Sequence, residues 1–343
     1  MATIIDVSRR AGVSKTTVSR VMNGKGRISQ STRDAVFKAI KELDYRPNVL
    51  AQSLSNQMTN SIGLILPSGY HRSQYIMGLM DLAHSMAANA GKFLIITQTT
   101  ENTLESGIRS IRELVDRQCD GILYYKTSHI ETSEGRNQLI KTIDDLPIPL
   151  VMLNYKLEGK LDQCVWFDHV ETGYLAINKL IEFGHRQIAY LCGPQNINTG
   201  RQRFEGYRLA LAEHDIEYDP RLVVEARPFL DGGFEACETL LKRNVSFSAI
   251  SCYNDPIAIG TLKALLENGK QVPQDISVFG FDNEDIASYT QPTLCSVQLP
   301  VREIVERACN ILFARMSAIE TQNQPVTELH SEVIMRDSVR RLI

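Results

Sequence analysis

Two sets of polar residues in this sequence are spaced for recognition rather than for catalysis. The first is continuous, Asp6-Val-Ser-Arg-Arg-Ala-Gly-Val-Ser-Lys-Thr-Thr-Val-Ser-Arg-Val-Met-Asn23. A helix ends there at Ala11-Gly12-Val13 and another starts at once, with hydroxyls and cations on its exposed face. Such a face can meet a polyanion, its first turn aimed at base edges while Ser and Thr hydroxyls reach phosphates. It can equally be a solvated helix surface. The second set is dispersed. Asn254 and Asp282 each follow an apolar strand, and in open parallel sheets ligands bind beyond the carboxyl ends of strands. Asp282 can accept hydrogen bonds from neighbouring hydroxyls of a polyol, and Arg203 can donate several in a fixed fork. Each has a bland alternative: a helix N-cap for Asn254, a turn for Asp282, a salt bridge across two lobes for Arg203.

The elements that must hold these residues follow from pattern and charge. Residues 1–60 carry ten Lys or Arg against four acids, a net +6, while the remainder is net −9 with 27 basic and 36 acidic residues. A basic head on an acidic body brings only the head to a polyanion. Thr3-Ile-Ile-Asp6 has capping-box spacing and opens a helix with Ile4, Val7 and Ala11 on one side. Ser14 caps a second helix with Val18, Val21 and Met22 inward, and a third runs from about Ser31 to Leu43. Pro47 to Asn60 contains no charge. It reads either as a plain linker or as a helix too short to be stable alone in water.

From Ser61 onward, short apolar runs (62–66, 93–98, 121–125, 150–153, 165–167, 187–192, 249–252 and 276–281) alternate with amphipathic stretches (74–90, 102–117, 170–183, 200–213, 233–243 and 255–268). That alternation predicts parallel sheets covered by helices on both faces, and the length predicts two lobes. The reading is an all-α helix-turn-helix head of residues 1–46, a hinge or linker of 47–60, and an α/β body of 61–343. The expected lobes are roughly 61–160 with 290–325, and 161–289 with 326–343.

Several function classes are excluded. No G-x-G-x-x-G follows the first strand, and there is no P-loop and no G-x-S-x-G elbow. The seven cysteines are scattered without a C-x-x-C pair, and the seven histidines lack metal-ligand spacing. No enzyme activity, metal or cofactor is expected. No apolar run is long enough to span a membrane, and Asp6, Arg9 and Arg10 rule out a secretory leader, so the expected location is the cytoplasm.

The stretch from Ala11 to Arg20, continued by Tyr45-Arg46-Pro47-Asn48, resembles the lactose/galactose repressor family of bacterial regulators (LacI/GalR). Further markers follow in order: Gly184-His-Arg-Gln-Ile188, Arg203-Phe-Glu-Gly-Tyr207, Asn254-Asp255, Asp275-Ile-Ser-Val-Phe-Gly-Phe-Asp282 and Met335-Arg-Asp-Ser338. The resemblance implies a body with the fold of periplasmic sugar-binding proteins. Cys252-Tyr-Asn-Asp255 and Gln187-Ile-Ala-Tyr-Leu-Cys192 look most like the galactose-repressor and β-glucoside-repressor branch.

Carried over residue by residue, the resemblance places Lys15, Thr16 and Arg20 at base-reading positions and Ser14, Thr17, Ser19 and Asn23 at phosphate contacts. Leu54 falls where a leucine of a hinge helix wedges into the minor groove. Arg203, Asp282 and Asn254 fall at effector contacts. Asn154 lies near the pocket, Tyr75 where an aromatic lines the cleft, and Asp168 is a further candidate. Phe229 either replaces an aromatic one residue displaced or leaves that contact absent. The implied protein is a homodimeric repressor of a carbohydrate-utilisation operon, bound to pseudo-palindromic operator DNA and released by a sugar of galactose or β-glucoside type. The alternative is the same scaffold as an activator or global regulator, whose small-molecule or protein partner strengthens DNA binding.

Overall fold

The computed structural model describes residues 2–22, 26–45, 59–69, 73–126, 132–317 and 329–342. The chain divides into two compact units, Met1–Asn60 and Ser61–Ile343.

In the first unit α1 (Ile4–Ala11), α2 (Lys15–Met22) and α3 (Gln30–Glu42) enclose Val7, Val18, Val21, Val36 and Ala39. The expected capping box is present. Asp6 N donates to Thr3 Oγ1, and Thr3 N donates to an Asp6 carboxylate oxygen at 2.9 Å. Gly12 ends α1 in the left-handed region, at φ 66°, which a side chain disfavours and which lets α2 begin three residues later. Five buried aliphatics make a small core for a unit of this size.

The second unit holds two parallel sheets. The first has strand order β2 (Phe93–Gln98), β1 (Ser61–Leu66), β3 (Gly121–Tyr125), β4 (Leu150–Leu153), β5 (Cys164–Val165). The second has order β7 (Val223–Glu225), β6 (Ile188–Cys192), β8 (Ala249–Cys252), β9 (Ser277–Phe279). β3, β4, β6 and β8 are buried along their whole lengths, as expected when helices cover both faces. α4 (Gln74–Asn89), α5 (Leu104–Asp116) and α6 (Ser133–Asp144) serve the first sheet. α7 (His169–Glu182), α8 (Asn198–Glu213), α9 (Leu230–Lys242) and α10 (Asp255–Glu267) serve the second. α11 (Val301–Met316) returns to pack on α4, β3 and β4.

The crossings between lobes fall later than the sequence suggested. Cys164 and Val165 pair with Met152 and Leu153, so the first sheet continues past residue 160. Residues 295–298 stay with the second lobe, because Gly280 N donates to Cys295 O at 2.7 Å and Asp282 N to Val297 O at 2.9 Å. The chain therefore crosses near 166–168 and near 299–300, not at 161 and 290. A third crossing is marked by the bridge of Leu329 to Phe167 and by β11 (Glu332–Ile334), antiparallel to β10 (Ser296–Gln298). All seven cysteines are buried and unbridged. Among the described residues no helix is long and apolar enough to cross a membrane, and no His, Cys, Asp and Glu group could hold a metal ion.

Candidate functional site

The cleft of the second unit is built by strand ends and by one close helix contact. α7 and α8 approach backbone to backbone at Gly173 and Gly206. A Cβ on Gly206 would lie 2.2 Å from Val170 O, and one on Gly173 2.4 Å from Arg203 O. The contact sets Arg203 beside the start of α7 and leaves its side chain only 5 % exposed. Its guanidinium lies between the rings of Phe281 and Tyr253, 3.8 and 4.7 Å from their centroids. It donates to Tyr253 O at 2.6 Å and to Asp282 Oδ1 at 3.3 Å.

Asp282 is held by its neighbours as well. The fully buried Asp255 accepts from Phe281 N, Glu284 N and Ser296 Oγ, each at 2.7 Å, and so clamps the turn that carries Asp282 at φ 95°. Burial raises the pKa values of this group: Asp282 to about 6 against the pull of Arg203, Asp255 to about 7 with the Asp282 charge adding, and Glu284 to about 8. Around them, Tyr75, Tyr125, His169, Thr199, Phe229 and Asn254 help line a cavity of about 600 Å³, its open mouth included.

Two buried polar atoms on the cavity's lining residues, His169 Nδ1 and Arg203 Nε, have no hydrogen-bond partner; Tyr75, which faces the Tyr125 ring edge at 6.1 Å, has no hydroxyl bond of normal geometry. Buried polar groups are ordinarily satisfied, and a polar ligand in this cavity would supply partners there; Arg201 Nε, Arg315 Nε and Ser331 Oγ are likewise without a partner away from it. On the head, Ser14, Lys15, Thr16 and Arg20 are exposed while Thr17 and Ser19 are half-buried. Ser14 Oγ caps α2, accepting from Thr17 N at 3.1 Å.

Comparisons with known proteins agree with this geometry. Residues 3–48 match the family described as bacterial regulatory proteins, lacI family, and residues 177–339 match the periplasmic binding protein-like domain. The HTH-type transcriptional regulator AscG of Escherichia coli (strain K12) is 36 % identical over 343 residues, covering 99 % of this chain and 98 % of its own. The chain belongs to the lacI family.

Identity within the family is divided. The regulator GalR of E. coli (strain K12) is 33 % identical over 99 % of this chain and 95 % of its own, and the repressor PurR of Vibrio atlanticus (strain LGP32) is 33 % identical over the whole of both chains. The crystal structure of the lac repressor dimer bound to operator and the anti-inducer ONPF superposes with a TM-score of 0.86 at 24 % identity, covering 99 % of each chain. That likeness establishes the two-lobed fold with its helical head. These relatives are transcription regulators and not enzymes.

In this lacI-family regulator the expected effector residues separate into three groups. Arg203, Asp282, Asn254 and Tyr75 line the one cavity. Asn254 also caps α10, accepting from Ile257 N at 3.0 Å, so the capping reading and the lining reading both hold. Asn154 lies behind the wall, where Nδ2 donates to the Tyr125 hydroxyl at 3.0 Å and Oδ1 meets His169 Nε2 at 3.0 Å. Asp168 is not among the lining residues. Its carboxylate caps α7, accepting from Val170 N at 2.7 Å and Glu171 N at 3.3 Å. Phe229 does line the cavity.

Sequence reasoning missed His169, Tyr125, Tyr253, Thr199 and Glu284. Each sits within two residues of a strand end or at a helix start, a position that could have flagged them, but their types carry no motif. Asn23 and Leu54 lie outside the described residues.

Proposed function

We propose that this regulator is a homodimeric repressor of a carbohydrate-utilisation operon, acting in the cytoplasm and released from a pseudo-palindromic operator by a sugar of galactose or β-glucoside type. The observation that carries the sugar reading is the cleft itself. It combines a donor, Arg203, with acceptors at Asp282 and Asn254, and sets aromatic faces at Tyr75, Phe229 and Tyr253 beside them. Hydroxyl-rich rings need both: in-plane hydrogen bonds from charged groups, and an apolar face for their C–H side.

The head, residues 1–46, meets DNA through α2. In this reading Lys15, Thr16 and Arg20 reach base edges, and Ser14, Thr17, Ser19 and Asn23 reach phosphates. Residues 47–60 form the hinge, with Leu54 wedged into the minor groove, where unstacking one step lets a bent duplex meet more protein. Residues 61–343 bind the effector and dimerise. The first lobe runs from 61 to about 165 and from about 300 to 325; the second from about 168 to 298 and from about 330 onward. Effector binding changes the lobe geometry and separates the two hinges, which releases the operator.

The test is calorimetric titration of the full chain with D-galactose, methyl β-D-glucopyranoside, cellobiose and guanine. A parallel anisotropy assay follows binding to the tightest pseudo-palindrome selected from a random DNA library. Heat with one sugar, together with loss of DNA affinity, is the expected result. Heat with guanine alone, or a ligand that tightens DNA binding, would sink the reading in favour of an effector that strengthens binding. Leu54→Ala separates the functions: DNA affinity falls by about tenfold, on the order of a lost wedge contact, while the calorimetric response is kept. Unchanged DNA affinity would remove Leu54 from the interface.

A further inference from the structure

His169 opens α7 at the edge of the cleft and has no role in the reading above. Its surroundings fix what it can do. Asn154 spends its amide N–H on the Tyr125 hydroxyl, which leaves Oδ1 as the group facing His169 Nε2. An amide oxygen can only accept, so Nε2 carries the ring's proton.

Burial, and after it the charge of Arg203, holds the imidazole pKa well below its ordinary value, so the ring is neutral near pH 7. A neutral ring has one N–H, so Nδ1 keeps its lone pair. That atom is buried and has no hydrogen-bond partner, while the residue is 5 % exposed and lines the cavity. The Phe167 ring packs against the imidazole at 4.5 Å between centroids, which supports the ring's orientation. The result is a positioned acceptor with nothing to accept.

We infer that His169 is a specificity-determining residue whose Nδ1 accepts a hydrogen bond from one hydroxyl of the bound sugar. This rests on the sugar reading and adds to it a rule of selection. The Asn154–Tyr125 pair sets the tautomer, so the cleft offers a neutral acceptor at this point beside the anionic acceptor at Asp282. A sugar lacking the matching hydroxyl leaves Nδ1 unpaired in a buried site. Sites built around a hydrogen bond reject the analogue without it more strongly than apolar pockets reject a size mismatch.

The experiment labels the full chain with ¹⁵N-histidine and titrates it with D-galactose and with cellobiose, calorimetry running in parallel. In the free protein the His169 signals should report an Nε2–H tautomer, and saturation with the sugar that gives heat should shift Nδ1. Among the monodeoxy derivatives of that sugar, one should lose about tenfold more affinity than the others. This gap should close in His169→Phe, which keeps an aromatic ring and removes the acceptor. If that variant does not fold, His169→Leu, which also lacks an acceptor, serves the same comparison.

Sugar heat with an unmoved Nδ1 signal would overturn the inference and leave the sugar reading standing. A free-state Nδ1–H tautomer would overturn it as well. No heat with either sugar would defeat the sugar reading, and this inference with it.

Discussion

On the head, Lys15, Thr16 and Arg20 stand exposed on α2, with Ser14 exposed at its cap, above five buried aliphatics; in the cleft, Arg203, His169 and Asn254 are each more than nine-tenths buried. The two surfaces face different problems. Exposed cations lose little solvation on meeting a polyanion, and gain through counterion release, so their strength depends on salt. Buried polar groups have already lost their water. Their strength depends on whether every donor and acceptor finds a partner, and on protonation. The head can thus bind any DNA weakly and its own site well, while the cleft stays poorly satisfied until the right ligand enters.

The sharpest way to break this contrast is at Arg203. Arg203→Ala leaves Asp282 buried without its cation and empties the slot between Phe281 and Tyr253. The body should lose about 3–5 kcal/mol of stability, as when one partner of a buried pair is removed, and ligand heat should vanish. The head belongs to a separate compact unit, so its helical unfolding should not move. Denaturant unfolding followed by fluorescence of Trp166, the single tryptophan, for the body and by backbone amide exchange of residues 2–45 for the head checks both. A body as stable as the parent would show that the Arg203–Asp282 pair is not a buried charge pair in solution.

The head gives a smaller effect of opposite character. Arg20→Ala should weaken specific DNA binding by about 1–3 kcal/mol, roughly fivefold to 150-fold, with no change in the body's unfolding or in ligand heat. Raising salt should weaken DNA binding steeply and in a log-linear way, while affinity for the sugar stays nearly flat. Equal salt dependence at the two sites would erase the distinction, since screening acts little on buried groups.

The same contrast explains what could be read from the residues alone. The head's site is a run of contiguous residues on one helix, and periodicity with a left-handed Gly12 is enough to place Lys15 and Arg20 outward and Val18 inward. The cleft gathers residues from positions 73 to 299. Alternating strands and helices implied that Asn254 and Asp282 end strands near one another. They could not show that Asp255 clamps the Asp282 turn, or that the glycines at 173 and 206 bring Arg203 to the start of α7. Asp168 and His169 illustrate the limit. The two are adjacent, and only the helix start decides that the carboxylate turns back to cap α7 while the imidazole joins the cavity wall. The lobe crossings were displaced for a similar reason: residues 295–298 carry too short an apolar run to show which lobe holds them, and their hydrogen bonds to 280–282 decide it.

The smallest expected effect on binding concerns pH, and stability responds to the same titration with the opposite sign. Asp282, Asp255 and Glu284 ionise at about 6, 7 and 8 in the folded chain, above ordinary values of 3.8, 3.8 and 4.5. The folded state then holds more protons than the unfolded state between about pH 4 and pH 8, so the body's stability should fall as pH rises through that window and return as pH drops. Sugar binding should run the other way. Hydroxyls donate to the ionised Asp282, so affinity should weaken, by a few-fold, as pH falls through about 6. Urea midpoints and calorimetric affinities at pH 5.5, 7 and 8.5 would show the two trends crossing. A body that gains stability with rising pH would mean that the three carboxylates are better solvated than their burial implies, and the cleft would then resemble the head more closely than its geometry suggests.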